Sequence, residues 1–366
     1  MRVLFLTELF RPYIGGVEVH ASRFLPAMRE RGHAFEVVTS HGHLDLPDED
    51  VVDGVRVHRL PFDRALRERD VDAMASCLAR LGAIKRAFAP QLVHVNLSDA
   101  TVFFHLRTER AHPCPTLVAV RVSPRGLPAG PRTVLGSLLE RAAWVTANSR
   151  AVHEDLLELD PRLVDRSSVV YNGLEAPRPA PYPDGPPFVV ALGRVVADKG
   201  FDVLVDAFAA VRGARPDARL VIAGDGAERL ALVERAAGLG LADAVDLPGW
   251  VEPDAVPTLL ARAALVVVPS RWREAFGLVA LQAALAARPV VATRVGGLAE
   301  VVADGETGSL VPNEDVGALA DAILAALADP AGARATGERA RARALATFSW
   351  QAHLDAYDAL YATLST

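Results

Sequence analysis

Cysteine is scarce: Cys77 and Cys114 are the only two in 366 residues, too few for a disulfide framework or a zinc cluster. Lysine is just as rare. Lys85 and Lys199 stand alone, and arginine supplies the rest of the 39 basic residues. No apolar run reaches the ~18 residues needed to span a bilayer. The opening stretch meets Glu8 too early to serve as a secretion signal. Excess positive charge is missing too: a net charge of −6 gives no reason to expect nucleic acid or an anionic membrane surface as the main partner. Together these absences point to a cytoplasmic protein without a transmembrane segment.

What is present is an alternation of strand-length apolar runs with helix-length segments. In the first half, strands are predicted over Val3–Thr7, Phe35–Thr39, Val55–Leu60, Leu92–Val95, Thr116–Val120, Trp144–Ala147 and Ser168–Tyr171, with helices over Val17–Arg31 and Val71–Phe88. Glu175 to Pro187 then holds six prolines in thirteen residues, a density that blocks helix and central strand alike and reads as a linker. Beyond it strands recur at Phe188–Ala191, Leu220–Ala223, Val245–Leu247, Leu265–Val268, Val290–Ala292 and Ser309–Val311. Continuous apolar strands with helical crossovers imply parallel sheets covered on both faces. The expected α/β organisation is a domain over 1–174, a linker over 175–187, a second domain over 188–347 and a terminal helix over 348–366. That helix has two candidate seats, one on either domain. In doubly wound domains ligands bind at the carboxyl ends of strands, so a cleft between the domains is the default site. Charge divides unevenly: through Glu175 basic and acidic residues balance at 22 each, and the remainder carries the whole acidic excess.

The most informative stretch is Gly193-Arg194-Val195-Val196-Ala197-Asp198-Lys199-Gly200, between a predicted strand and a predicted helix. Backbone N–H groups at a helix N-terminus and two cations in one turn suit a phosphate. Arg194 brings a planar fork of donors and Lys199 a compact charge on a flexible stem. A solvated pair of cations would read the same way. Further on, Glu274 follows strand Leu265–Val268 at a strand-to-helix turn, where a carboxylate suits a helix N-terminus whether or not it binds anything. Gln282 follows eight residues later. On one helix that spacing spans about 12 Å, the reach from a sugar to a ribose across a pyrophosphate. Gly296-Gly297 after the next strand, and Gly15-Gly16 after the first, let backbone amides approach a phosphate, although paired glycines also make plain turns. Asp304-Gly305-Glu306-Thr307-Gly308 reads as a turn without chemistry. His41-Gly42-His43 with Asp45 has no further ligand at a convincing spacing and reads as solvated loop, so no metal site is expected. The arginines of a helix around Arg64–Arg86 are interspersed with Glu68, Asp70 and Asp72, and a peripheral membrane contact is not favoured.

Taken in order, these pieces resemble the large retaining glycosyltransferase family of the GT-B fold, the fourth family in the usual sequence grouping. The resemblance runs through Gly15-Gly16, Ala147-Asn148-Ser149, Asn172-Gly173, Gly193-Arg194 with Lys199-Gly200, Ala223-Gly224-Asp225-Gly226, Pro269-Ser270 with Glu274-Ala275-Phe276-Gly277-Leu278, Gly296-Gly297 with Glu300, and Asp304-Gly305 with Gly308. It covers nearly the whole chain. It implies two Rossmann-like domains, with a nucleotide-diphosphate sugar held mainly by the second and an acceptor mainly by the first. By position, Arg194 and Lys199 would grip the pyrophosphate and stabilise the leaving phosphate, and Glu274 would bind the sugar hydroxyls. Gly15, Gly16, Gly193, Phe276, Gly277, Leu278, Gly296 and Gly297 would line the donor. Such enzymes retain the anomeric configuration and need no metal; the nucleotide sugar is a co-substrate, not a cofactor.

Two positions depart from the family pattern. The second glutamate of its usual pair is here Gln282, which can accept one ribose hydrogen bond and donate one where a carboxylate accepts both. At the end of strand Thr116–Val120, where many members have histidine, stands Arg121. It reads equally as a binder of an anionic acceptor or donor and as half of a salt bridge, and it is counted among the catalytic candidates with Arg194, Lys199 and Glu274. Asn96 also occupies a position where histidine is frequent, whereas His94 reads as a packed strand residue. Tyr13, Asn96 and Ser123 are the acceptor-side candidates, and the loops His41–Asp53 and Arg121–Arg132 are the expected acceptor loops, the second as a partly ordered lid. The expected function is transfer to the hydroxyl of a small natural-product-like acceptor. The alternatives are a non-catalytic sugar-nucleotide-binding or partner-activating relative, and an enzyme with a phosphorylated acceptor. Donor base and oligomeric state are not legible.

Overall fold

The computed structural model describes residues 1–13, 15–96, 100–130 and 132–365. Ile14 of the first glycine loop and Pro131 of the expected lid lie outside them. The chain forms two compact units, Met1–Tyr171 with His353–Thr366, and Asn172–Ala352.

In the first unit the order is β1 (Arg2–Leu6), α1 (Gly16–Glu30), β2 (Ala34–Ser40), β3 (Glu49–Val52), β4 (Val55–Leu60), α2 (Phe62–Arg67), α3 (Val71–Phe88), β5 (Leu92–Asn96), α4 (Ala100–Arg107), β6 (Thr116–Val120), α5 (Val134–Arg141), β7 (Trp144–Ala147), α6 (Arg150–Leu159) and β8 (Ser167–Val169). The strands assemble as β3-β4-β2-β1-β5-β6-β7-β8. All neighbours are parallel except β3 and β4. Strands β5 and β6 are buried at every residue, as strands covered on both faces must be. The order reverses between β1 and β5, so their carboxyl ends flank the switch point where such sheets bind ligands.

Two local expectations fail here. Strand β3 falls inside His41–Asp53, read from sequence as loop. Asp53 and Gly54 both have positive φ, 51° and 74°, the two-residue turn that an Asp-Gly pair favours because its twist matches that of the strands it joins. The helix predicted over Val71–Phe88 is present with those bounds as α3, but the arginines read as lying on one helix around Arg64–Arg86 are divided between α2 and α3. Arg69 has φ 54° and Asp70 restarts the chain as the cap of α3, accepting from Ala73 N at 2.9 Å.

The second unit runs β9 (Phe188–Leu192), α7 (Phe201–Ala214), β10 (Arg219–Ala223), α8 (Arg229–Gly238), β11 (Val245–Gly249), α9 (Val256–Ala261), β12 (Leu265–Val268), α10 (Leu278–Leu285), β13 (Val290–Thr293), α11 (Leu298–Val301), β14 (Gly308–Val311), α12 (Val316–Ala328) and α13 (Pro330–Thr347). Its sheet, β11-β10-β9-β12-β13-β14, is parallel throughout, with its switch point between β9 and β12. No single helix among the described residues is long and apolar enough to cross a membrane. The α12–α13 pair is in sum, but it bends by 102°, and Leu319, Ile323 and Leu327 of α12 lie in the core of this unit.

The proline-rich segment belongs to the second unit and is clamped onto it. Arg288, 1% exposed, donates to Leu260 O at 3.0 Å, Ala261 O at 2.8 Å and Pro181 O at 2.7 Å. Tyr182 OH donates to Ala264 O at 2.8 Å, and Arg341 Nη2 to Pro177 O at 3.0 Å. Proline carbonyls keep their acceptor capacity although the ring nitrogen has lost its donor, so a segment unable to join a sheet is held through its oxygens.

The last helix, α14 (Trp350–Leu364), returns to the first unit from His353 onward. His353, Tyr357 and Tyr361 recur every fourth residue, share one face, and are at most 2% exposed. Tyr361 OH lies 2.6 Å from His94 Nδ1, and Tyr357 OH 3.2 Å from Thr146 Oγ1. His353 Nδ1 donates to Tyr171 O at 2.6 Å. Its Nε2 is therefore the acceptor for His20 Nε2–H, 2.8 Å away. Burial, reinforced by the Arg121 charge, holds His20 and His94 well below the usual histidine range and His353 down to about 3. His94 is thus a packed strand residue.

Two outcomes are expected. These histidines are neutral when folded and take protons once unfolded, so their stabilisation is complete above about pH 6.5 and is lost as pH falls toward 3. Melting temperature should be flat near pH 7.5 and drop below pH 6, and His353→Gln should lower the baseline yet flatten that slope, each histidine contributing at most about 1.4 kcal/mol per pH unit. Arg288→Met should cost about 2–4 kcal/mol, because several carbonyls lose a buried donor. Limited proteolysis should then cut within 175–187, whereas the parent chain resists.

Candidate active site

The predicted phosphate turn leaves β9 at the switch point of the second unit. Gly193 (φ 143°) donates its N–H to Ala223 O at 3.0 Å, and Val195 N to Asp225 O at 2.8 Å, which ties the turn to the end of β10. Gly200 (φ 66°) starts α7, and a Cβ there would overlap Pro269 O. Glycine is therefore needed for conformation and for contact, and its absence of a side chain lets the turn lie against the loop after β12. Arg271 N and Trp272 N both donate to Asp198 O, at 2.9 and 3.2 Å, and join the two loops.

Lys199 and Glu274 meet across that seam. Lys199 Nζ donates to Glu274 Oε1, which also accepts from Ser270 Oγ at 2.6 Å. Thr293 Oγ1 at the end of β13 donates to Ser270 O at 2.6 Å. The third loop closes from the other side: Gly297 N donates to Glu274 O at 2.8 Å, and Gly296 has φ 51° with no room for a Cβ beside that carbonyl. The loops after β9, β12 and β13 thus converge on one residue, the first two at the Glu274 carboxylate and the third at its backbone carbonyl. Arg194 is exposed and makes no ion pair among the described residues. Arg271, by contrast, is neutralised, with Asp202 accepting two bonds at 2.7 and 2.6 Å and Glu314 one at 2.6 Å. Hydrogen bonding to Asp202 holds its pKa above the usual arginine value. Arg194 and Lys199, the two cations of the turn, escape such a lock: the first is exposed and the second is engaged, among the described residues, by Glu274 alone.

The other donor-side candidates need adjustment. Gln282 is half-buried, and its amide makes no hydrogen bond among the described residues. Helix α10 begins only at Leu278, capped by Gly277 with φ 100°, so Glu274 and Gln282 do not share a helix and the 12 Å span does not apply; from Leu278 to Gln282 the rise is about 6 Å. Phe276 is 2% exposed and packs its ring on Phe348 at 5.5 Å. It is a core residue. A Cβ at Gly277 would overlap Leu298.

In the first unit, Arg121 and Asn96 come together at the ends of β6 and β5. Arg121 Nε donates to Asn96 Oδ1 at 2.5 Å, and Asn148 Nδ2 to Arg121 O at 3.2 Å. Tyr13 is committed elsewhere: its hydroxyl donates to His41 O at 2.6 Å and accepts from Leu44 N at 2.7 Å. Ser123 donates to buried Asp155 at 2.6 Å. Both hydroxyls brace loops. Gly15 is extended and precedes α1, which begins at Gly16. The Glu18 carboxylate fills the space beside Gly15, so a negative charge stands where a phosphate was expected. His41 binds Asp48 at 3.0 Å and His43 packs edge-on to Tyr13, and among the described residues no cluster of three or more His, Cys, Asp or Glu is arranged for a metal. Ser270 and Thr293, which fix Glu274, had no role assigned from sequence. Their signal is a polar residue at the end of an apolar strand (Thr293) or two residues beyond one (Ser270).

Convergence on Glu274 makes a sharp expectation. Gly296→Ala and Gly305→Ala both burden a positive φ, but Gly305 has open space around it. Gly296→Ala should therefore destabilise the protein by about 1–3 kcal/mol more than Gly305→Ala, because only the former overpacks against a backbone carbonyl, and calorimetric melting of the two variants reads the difference.

Comparison with known proteins agrees with this geometry. Residues 14–178 match the family described as Glycosyltransferase Family 4, and residues 175–343 that described as Glycosyl transferases group 1. The D-inositol 3-phosphate glycosyltransferase of Nocardia farcinica is 31% identical over 92% of this chain and 82% of its own. The glycogen synthase of Mycobacterium tuberculosis is 28% identical over 96% and 92%. Among solved structures, sucrose-phosphate synthase from Thermosynechococcus elongatus superposes with a TM-score of 0.84 at 24% identity, over 99% of this chain and 98% of the other. Anabaena HepE in complex with UDP-glucose gives 0.80 at 21%, over all of both chains. The strand orders, the cationic turn at the switch point of the second sheet and these likenesses place the chain in the GT-B glycosyltransferases of the group 1 and family 4 type, enzymes that transfer a sugar from a nucleotide sugar.

Proposed function

We propose that the chain is a cytoplasmic, retaining, metal-independent hexosyltransferase that moves a sugar from a nucleotide-diphosphate sugar to the hydroxyl of a small-molecule acceptor. The observation that carries this reading is Lys199 held on Glu274 beside unpaired Arg194 at the β9–β12 switch point. An arriving diphosphate brings negative charge to Lys199 and Arg194. Lys199 then shifts from Glu274 toward phosphate oxygen, and the Glu274 oxygen it releases becomes an acceptor for sugar hydroxyls. As the bond from the anomeric carbon to the phosphate oxygen breaks, both cations stabilise the charge growing on the phosphate, usually the largest catalytic contribution. The acceptor oxygen bonds to the same face of that carbon, and its proton passes to the departing phosphate. Arg121 acts as a fixed positive charge at the end of β6 and undergoes no reaction. Two free cysteines, Cys77 buried and Cys114 half-buried, fit a reducing compartment.

Gln282 in place of a carboxylate supports the rival reading of a non-catalytic nucleotide-sugar binder, and one variant separates the two. Glu274→Ala should reduce sugar transfer at least a hundredfold while changing nucleotide affinity only a few-fold, since Arg194 and Lys199 remain. Equal losses, or no turnover in the parent chain despite tight binding, would favour the binder. The donor base is to be read from thermal shifts with UDP, GDP, ADP and dTDP without metal, where ligand at a hundred times its Kd stabilises by about 2.7 kcal/mol.

A further inference from the structure

The first unit holds a second feature that the donor chemistry does not use. A cavity of about 720 Å³ lies among α2, α4, the loop before α5 and α5 itself, with Leu66, Val102, Phe103, Leu127, Val134 and Leu138 in its wall. All of these elements follow the carboxyl ends of β4, β5 and β6, the edge at which open α/β sheets bind ligands. Its volume is that of a site for a drug-sized ligand.

The wall is built rather than incidental. Ser123 Oγ and Arg125 Nε both donate to Asp155, at 2.6 and 2.5 Å, and Arg125 Nη2 donates to Glu158 at 2.6 Å. This pins the loop that carries Leu127. Thr133 Oγ1 donates to Gly130 O at 2.8 Å and accepts from Gly136 N at 3.0 Å. Gly136 leaves no room for a Cβ against Gly130 O, so the loop seats directly on α5. Opposite, the Arg107 guanidinium lies 3.5 Å over the Phe103 ring and stiffens that side chain.

Polar capacity is confined to one wall. Asp63 and Arg67, both lining residues, have no partner among the described residues. We infer that this cavity holds the body of the acceptor, and that the acceptor is a soluble amphipathic alcohol. Its apolar ring system faces Phe103, Leu127 and Val134, and a hydroxyl or amine donor faces Asp63. The inference rests on the proposed transferase reading and adds the acceptor's chemical class. A bilayer lipid fits the surroundings less well. From Asp63 to Asp72 the flanking segment carries Arg64, Arg67 and Arg69 against Asp63, Glu68, Asp70 and Asp72, with no basic stripe to draw an anionic surface.

The test uses the full chain and two readouts. Fluorescence titration of 2-naphthol, which needs no donor, should give saturable binding. Leu127→Asp and Val134→Asp, at side chains already 43% and 38% exposed, should weaken it at least tenfold while the thermal shift with the preferred nucleoside diphosphate stays unchanged. With the nucleotide sugar supplied, 2-naphthol and 4-methylumbelliferone should be glycosylated with KM raised at least tenfold in both variants, and myo-inositol should be a poor acceptor throughout. The inference is overturned if the substitutions leave aromatic binding and KM unchanged, if myo-inositol is preferred, or if only phosphatidylinositol vesicles accept sugar. Those results with donor turnover intact would leave the transferase reading standing. A chain that binds no nucleotide and transfers nothing would overturn that reading, and the acceptor assignment with it.

Discussion

The bond between Lys199 and Glu274 is the constraint around which the second unit is arranged. It links the loops after β9 and β12, the two strands on either side of the reversal in strand order. Every nearby oddity serves that approach. Gly200 is bare because Pro269 O lies against it, Gly296 because Glu274 O does, and Ser270 and Thr293 hold the carboxylate and its loop from behind. A parallel sheet supplies convergence of loop ends by topology alone. What turns convergence into a site is the removal of side chains where backbones must touch.

The first unit solves a different problem. Its face beneath α14 is filled with imidazole and phenol groups rather than aliphatic side chains. Polar groups at such depth cost stability unless each finds a partner. His353 satisfies this by donating to Tyr171 O and accepting from His20, while Tyr361 pairs with His94. The arrangement demands one tautomer each of His353 and His20 and a neutral charge state. It thereby gives the terminal helix a directional seat that an aliphatic face would not, at the expense of acid tolerance.

How much of this was legible follows from what each feature depends on. Strands such as β6 and β12 were read to the residue because burial on both faces leaves a continuous apolar run. The hairpin at Asp53-Gly54 was overlooked although its dipeptide is a turn signal, since β3 lies at the sheet edge with half its residues exposed and shows no apolar run. The cationic turn and Glu274 were visible as residue types after strands, but their pairing was not, for it depends on which strands become neighbours. The loop-bracing bonds of Tyr13 and Ser123 were hidden for a related reason. Position in a loop names a polar residue without saying whether its hydroxyl already has a partner, and here His41, Leu44 and Asp155 supply them.

The choice of lysine at 199 has a physical reason in a chain that otherwise uses arginine almost throughout. Arg271 shows what arginine does in this neighbourhood: its fork is locked by Asp202 and Glu314, and its Nη1 also donates to Ala197 O at 3.0 Å. A guanidinium at 199 would form a similar planar pair with Glu274 and hold it. An ammonium on a four-carbon stem has three rotatable donors and no planar match to a carboxylate. It can keep Glu274 oriented in the free protein and still turn toward a diphosphate without breaking a bidentate pair. In the proposed mechanism the flexible cation sits where a contact is exchanged, and the rigid one where a contact persists.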